Sequence, residues 1–179
     1  WLEGRRPIYL TMGEYPEFDQ RLLGYVATIR SREASGAMPP GEFVSLKHVL
    51  HEQRLIKSSA EIDLMRQAAD ISALAHTRAM RNCRSGMTES QLEAELIYEF
   101  MRGGARHCAY PSIVGSGANG CVLHYTDNNS TLENGDLVLI DAGCEYQHYA
   151  ADITRTFPVS GVFSPAQRAL YDIVLAANA

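Results

Sequence analysis

The sequence predicts an α+β fold in which helices precede an antiparallel hairpin. Three helix starts carry explicit capping chemistry: Ser58-Ser-Ala-Glu61, Thr88-Glu-Ser-Gln91 and Ser164-Pro165-Ala-Gln167. Between the second and third of these the apolar period falls from about 3.6 to about 2. Two strand-like runs, Leu137 to Cys144 and His148 to Val159, are separated by only a few residues. A hairpin following helices gives segregated layers, not a doubly wound parallel sheet.

The elements follow in order. Pro7 to Met12 is short and β-prone, and from Pro16 the residues Phe18, Leu22, Leu23, Val26 and Ile29 recur at helical spacing. Ser31 to Gly41 is rich in Gly, Ser and Pro and reads as a linker. One strand and one helix cannot bury a core alone. Residues 1–45 are therefore expected to be the end of one domain with its linker, and 46–179 the start of a second. After Ser58 the residues Ile62, Met65, Ala69 and Leu74 keep an apolar stripe to about Cys83. In the next helix Met87 and Leu92 are placed as a hydrophobic staple, and Gly103-Gly104 is the expected stop. His107 to Gly115 and Cys121 to Thr126 read as strands, and Thr131 to Asp136 as a polar turn.

Composition excludes several classes. The 179 residues are 46% hydrophobic and 21% charged, which is ordinary for a globular protein. No apolar run approaches a membrane span. A net charge of −5, with 14 Arg and 2 Lys scattered along the chain, leaves no basic stripe for nucleic acid. Cys83, Cys108, Cys121 and Cys144 show neither paired nor zinc-type spacing, so free thiols in a reducing cytoplasm are expected. The chain starts at Trp1 and stops at Ala179 within a helical pattern, so a fragment of a longer protein is expected.

The strongest chemical signal is Leu137-Val-Leu-Ile-Asp141-Ala-Gly143 followed by Asp152-Ile-Thr-Arg155. With Tyr146-Gln147 as the turn, Asp141 and Asp152 become direct cross-strand partners on one face. Two ionised carboxylates there repel, and apolar neighbours add a desolvation cost. Three arrangements relieve this: a shared proton, a bulge that breaks the register and separates the pair, or a hard divalent cation between them; two solvated hairpin aspartates are the plain alternative. Among the histidines, His124 in Leu123-His-Tyr-Thr126 lies just before the hairpin. Taken alone it reads as a packed residue, and His48, His51, His76 and His148 carry no site signal. Tyr110, before Pro111, reads as an aromatic at the core's edge. Gly115-Ser-Gly117-Ala-Asn-Gly120 lacks the Lys-Ser/Thr ending and the following helix of a phosphate loop.

Ile140-Asp141-Ala-Gly143 and Asp152-Ile-Thr-Arg-Thr-Phe157 resemble the metallopeptidases of the pita-bread fold. Ile113-Val-Gly-Ser-Gly117, Leu123-His-Tyr-Thr126, Gly135-Asp-Leu-Val138, His51-Glu-Gln-Arg-Leu55 and Ala75-His-Thr-Arg-Ala-Met80 are similar to the bacterial aminopeptidase P branch, the Xaa-Pro aminopeptidases. The resemblance implies that 46–179 form the N-terminal half of a pita-bread catalytic domain. It implies two divalent ions, Mn²⁺ in this family, held by two Asp, one His and two Glu. Asp141 and Asp152 match the two Asp. His124 matches a catalytic and substrate-binding histidine, and Tyr110 an aromatic bordering the substrate. After Asp152 the sequence holds no His and no Glu, so the remaining ligands are missing here and this chain alone is expected to be inactive. The implied substrate is a peptide with proline in second position, and the implied whole protein is a cytoplasmic homo-oligomer. A proline dipeptidase, or a non-catalytic pita-bread module that binds peptides or proteins, is the alternative.

Overall fold

A computed structural model describes residues 1–178. The chain divides into two compact units, Trp1–Lys57 and the residues from Ser58 onward. The division falls after Lys57 rather than after residue 45. The reason lies in the first unit. Its strand β1 (Ile8–Leu10) pairs in parallel with β2 (Phe43–Ser45), and helix α1 (Pro16–Arg30) is the crossover between them. The Ser31–Gly41 stretch therefore closes a βαβ unit and separates no domains. Helix α2 (Leu46–Leu55) follows β2 directly and packs on β1. Leu2, Ile8, Leu10, Leu22, Val26 and Ile29 form the small core.

The second unit is antiparallel throughout, as expected. It runs α3 (Ser59–Asn82), α4 (Glu89–Arg102), β3 (His107–Cys108), β4 (Ile113–Ser116), β5 (Leu137–Asp141), β6 (Cys144–Tyr146), β7 (Tyr149–Ala150), β8 (Thr154–Pro158) and α5 (Pro165–Asn178). Two three-stranded sheets result, ordered β4-β5-β8 and β3-β6-β7. All three expected capping boxes are formed. Glu61 accepts from Ser58 N at 2.6 Å, Gln91 from Thr88 N at 2.9 Å and Gln167 from Ser164 N at 2.9 Å. Ser58→Ala should cost the second unit about 1 kcal/mol in chemical denaturation, the usual worth of an N-cap.

Helix α3 buries small residues, Ala68, Ser72, Ala75 and Ala79, and so comes close to α4 and to β6. Leu92, Leu96 and Phe100 recur every fourth residue on α4 and fill the core with Val114, Val138 and Ile140. Arg78 of α3 bonds Glu95 of α4 at 2.6 Å and lies over the Tyr98 ring. On α5 the apolar Leu170, Ile173, Val174 and Leu175 are each more than half exposed.

Three strand expectations need correction. His107 to Gly115 is not one strand. Pro111 has no N–H to donate and restricts Tyr110 before it, so the chain bends and β3 and β4 join different sheets. Cys121 to Thr126 is not a strand either. A 3₁₀ turn over Gly117–Cys121 leads into irregular backbone, and His124 has φ +56°. The hairpin turn is Gln147-His148, not Tyr146-Gln147. Glu145 pairs with Ala150 and Tyr146 with Tyr149. Both turn residues have positive φ, 48° and 71°, the geometry of a type I′ turn.

Candidate metal centre

The corrected register decides how the two aspartates meet. Asp141, the last residue of β5, lies opposite Thr154. Asp152 precedes β8 by two residues, on the same face, so the carboxylates are diagonal rather than directly opposed. The ladder continues through the break between strands. Ala142 N donates to Ile153 O at 3.1 Å and Ala151 N to Cys144 O at 3.0 Å. These bonds bracket Gly143 and Asp152, which face each other. Gly143 passes so close to the other strand that a Cβ there would overlap the Ala151 carbonyl.

Helix α3 grips this stretch from the core side. His76 is buried, and its Nε2–H donates to Ala142 O at 2.9 Å. Burial pushes the His76 pKa down, which favours that neutral donor form. Ser72 Oγ accepts from Cys144 N at 3.0 Å. The backbone between Asp141 and the hairpin tip is therefore tied to a rigid helix on both sides of Gly143.

Tyr110 stands over the pair. Its hydroxyl donates to Asp141 Oδ1 at 2.6 Å and lies 2.9 Å from Asp152 Oδ1. The two carboxylate oxygens are thus separated by no more than the sum of those distances. Burial, then the hydrogen bonds to Asp141 and Asp152, push the Tyr110 pKa far up, so the group stays a neutral phenol. One phenol carries one proton to share between two carboxyl groups. The cluster holds two carboxylates and no cationic side chain, an arrangement that would suit a hard oxygen-seeking cation. Among the described residues no third His, Cys, Asp or Glu joins them in a metal-holding group.

His124 lies at the rim. It is exposed, and with Cys121, Leu123, Leu139, Asp141 and Thr154 it lines an open cleft of about 260 Å³. His148 sits at the exposed hairpin tip, 3.8 Å from Glu145. A groove of about 440 Å³ in the first unit, between Trp1, Phe18 and Tyr25, holds no carboxylate, histidine or thiol and offers no comparable chemistry.

Residues 63–179 match the model of metallopeptidase family M24. The chain belongs to this family. Over 174 residues it is 51% identical to a Xaa-Pro aminopeptidase of Escherichia coli (strain K12), a match covering 97% of this chain and 40% of that one. The solved aminopeptidase PepP of Pseudomonas aeruginosa superposes with a TM-score of 0.95 at 55% identity, over 99% of this chain and 40% of that one. A zinc-substituted E. coli aminopeptidase P in complex with product gives a TM-score of 0.94 at 50% identity, over 98% and 40%. The chain thus spans about 40% of the length of these relatives, and over that part it has the pita-bread fold.

Within this M24 chain the sequence pattern brought forward Asp141, Asp152, Tyr110 and His124. The structure gathers the first three and sets His124 on the same cleft as Asp141. It adds His76, whose only sequence mark is a polar residue on the buried stripe of α3. It also adds Glu89, hidden in the sequence as a first-turn residue of a capping box.

Proposed function

We propose that this chain supplies two metal ligands and part of the substrate cleft of a dinuclear aminopeptidase. The complete enzyme releases the N-terminal residue from peptides with proline in second position. The convergence of Asp141 and Asp152 on one phenol carries the reading, and the resemblance of the surrounding motifs to Xaa-Pro aminopeptidases supplies the substrate class. The remaining ligands come from sequence outside these 179 residues. The exposed apolar face of α5 supports that view, since a patch of this kind marks a surface made to be covered.

Asp141 and Asp152 would hold the ions, and oxygen donors suit Mn²⁺. Bound divalent ions supply Lewis acidity and lower the pKa of water at the site. Tyr110 keeps its proton and, by donating to Asp141, fixes which oxygen of that carboxylate remains for a ligand. His124, exposed at the rim, contacts the peptide and takes or gives a proton at its imidazole. Leu123 and Leu139 give the cleft apolar walls against the peptide. The four free cysteines support a cytoplasmic setting, and the family resemblance supports a homo-oligomer, checked by sedimentation.

The test is a Mn²⁺ titration followed by an assay on an Xaa-Pro tripeptide. The complete M24 domain should bind and cleave, and cleavage of a tripeptide separates it from a dipeptidase. The 179-residue chain should bind weakly and not turn over, because two carboxylates fill too few of the roughly six positions a hard ion wants. Micromolar binding with turnover by this chain alone would refute the division of ligands.

A further inference from the structure

Glu89 is fully buried at the first residue of α4, and five donors converge on it. Oε1 accepts from Ser116 N at 2.7 Å, Ser116 Oγ at 2.8 Å and Asn119 Nδ2 at 3.1 Å. Oε2 accepts from the Tyr125 hydroxyl at 2.7 Å and from Ser130 N at 3.0 Å. Burial alone would raise its pKa, but the donors from Tyr125, Ser116 and Asn119 outweigh it and hold the carboxyl below its usual value. Such a group is an ionised anchor with every lone-pair direction used. Capping α4 needs none of this, because Thr88 and Gln91 already do so.

All five donors belong to one segment, 116–130, and that segment carries His124. A second clamp sits at Asn128. It accepts from Val114 N at 2.9 Å and donates to Ser112 O at 2.8 Å and to Glu93 at 2.9 Å. Between the clamps Val122 and Leu123 are exposed, and His124 and Asn128 hold φ of +56° and +45°. Asn takes such backbone readily, whereas at His124 it is uncommon and gains from the bonds that hold the neighbouring residues. The segment's side-chain bonds are made by Ser116, Asn119, Tyr125, Asn128 and Ser130, and none of them involves the His124 imidazole. The place of that ring is therefore set by the backbone beside it.

We propose that Glu89 is a positioning residue, which through Tyr125 fixes the strained backbone that presents His124 beside Asp141. This rests on the reading of His124 as a group that meets the substrate. A carboxylate is required because the five donors need an acceptor that brings no donor of its own.

The test uses the complete M24 domain with Tyr125→Phe, which removes one hydroxyl, and Glu89→Gln, which keeps the shape and loses the charge. Tyr125→Phe should lower kcat/KM on an Xaa-Pro tripeptide about tenfold with bound Mn²⁺ unchanged. In a His124→Ala background it should cost nothing more, since both changes act through one group. Amide hydrogen exchange over 122–127 should quicken in Tyr125→Phe, and more in Glu89→Gln, while 137–141 keeps its protection. An additive loss in the double variant, or unchanged exchange over 122–127, overturns the proposal. If the wild-type domain cleaves no Xaa-Pro peptide, the assigned activity falls, while the exchange result still decides the positioning claim.

Discussion

Replacing Asp141 or Asp152 by Ala in the complete M24 domain should abolish Xaa-Pro cleavage while leaving the fold intact. On the proposed assignment either change would vacate a ligand position, and no third His, Cys, Asp or Glu among the described residues joins the pair to refill it. Metal assistance is worth several kcal/mol of barrier, so a loss of about 10³-fold or more is expected. Stability should change little in the metal-free protein. Tyr110 keeps one acceptor, Asp152 at 2.9 Å or Asp141 at 2.6 Å, and the repulsion between the carboxylates is gone. The measurement is metal content and turnover after exhaustive chelation and return of Mn²⁺, with a thermal melt alongside. Full activity recovered by either variant would disprove the metal assignment.

Gly143→Ala should be the most damaging single change to the fold of the hairpin. Its φ is not in the left-handed region, so the demand is for space alone. The added methyl meets the backbone of Ala151, not the end of a flexible side chain. That backbone cannot retreat freely, because Ala151 N is bonded to Cys144 and Ala142 is held by both Ile153 and His76. The strands must part, at a cost of about 3 kcal/mol, the upper end of ordinary overpacking. Asp152 follows Ala151 directly, so the carboxylate pair should spread and metal affinity fall with stability. Chemical denaturation and Mn²⁺ titration on the same variant check both effects. A native-like midpoint would show that the hairpin yields more easily than its bonds imply.

What the sequence disclosed divides along the range of the interactions. The starts of α3, α4 and α5 were legible because a capping box is written within four residues. The pairing of Asp141 with the Asp152 segment was legible as a hairpin but not in register. Neither Gln147 nor His148 is a residue that marks a left-handed turn, so the pattern allowed a slip of the turn by one position. The segment around His124 alternates like a strand, yet it is held by Glu89, a residue 36 positions from Tyr125. Tyr110 reaches its partners across 31 and 42 positions, and no local rule announces that. The Gly- and Pro-rich stretch before residue 42 looks like a linker by composition. Only the parallel pairing of β1 with β2 reveals it as the return leg of a crossover.

The hairpin tip also bears on how the family can vary. Both aspartates lie on the body side of β6 and β7, and the Gln147-His148 turn lies beyond them. Adding one residue to each arm of the tip lengthens the hairpin and leaves the facing of Gly143 and Asp152 untouched. Adding a residue to one arm alone shifts every pairing below it, and a shift of one position sends a carboxylate to the opposite face. Insertions here should therefore be filtered by parity: balanced pairs leave the carboxylate pair in place, and unpaired ones are tolerated only where a bulge absorbs them. The eleven-residue interval between Asp141 and Asp152 is odd, as this constraint requires. An engineered hairpin lengthened by two residues, one on each arm, should keep both carboxylates on one face.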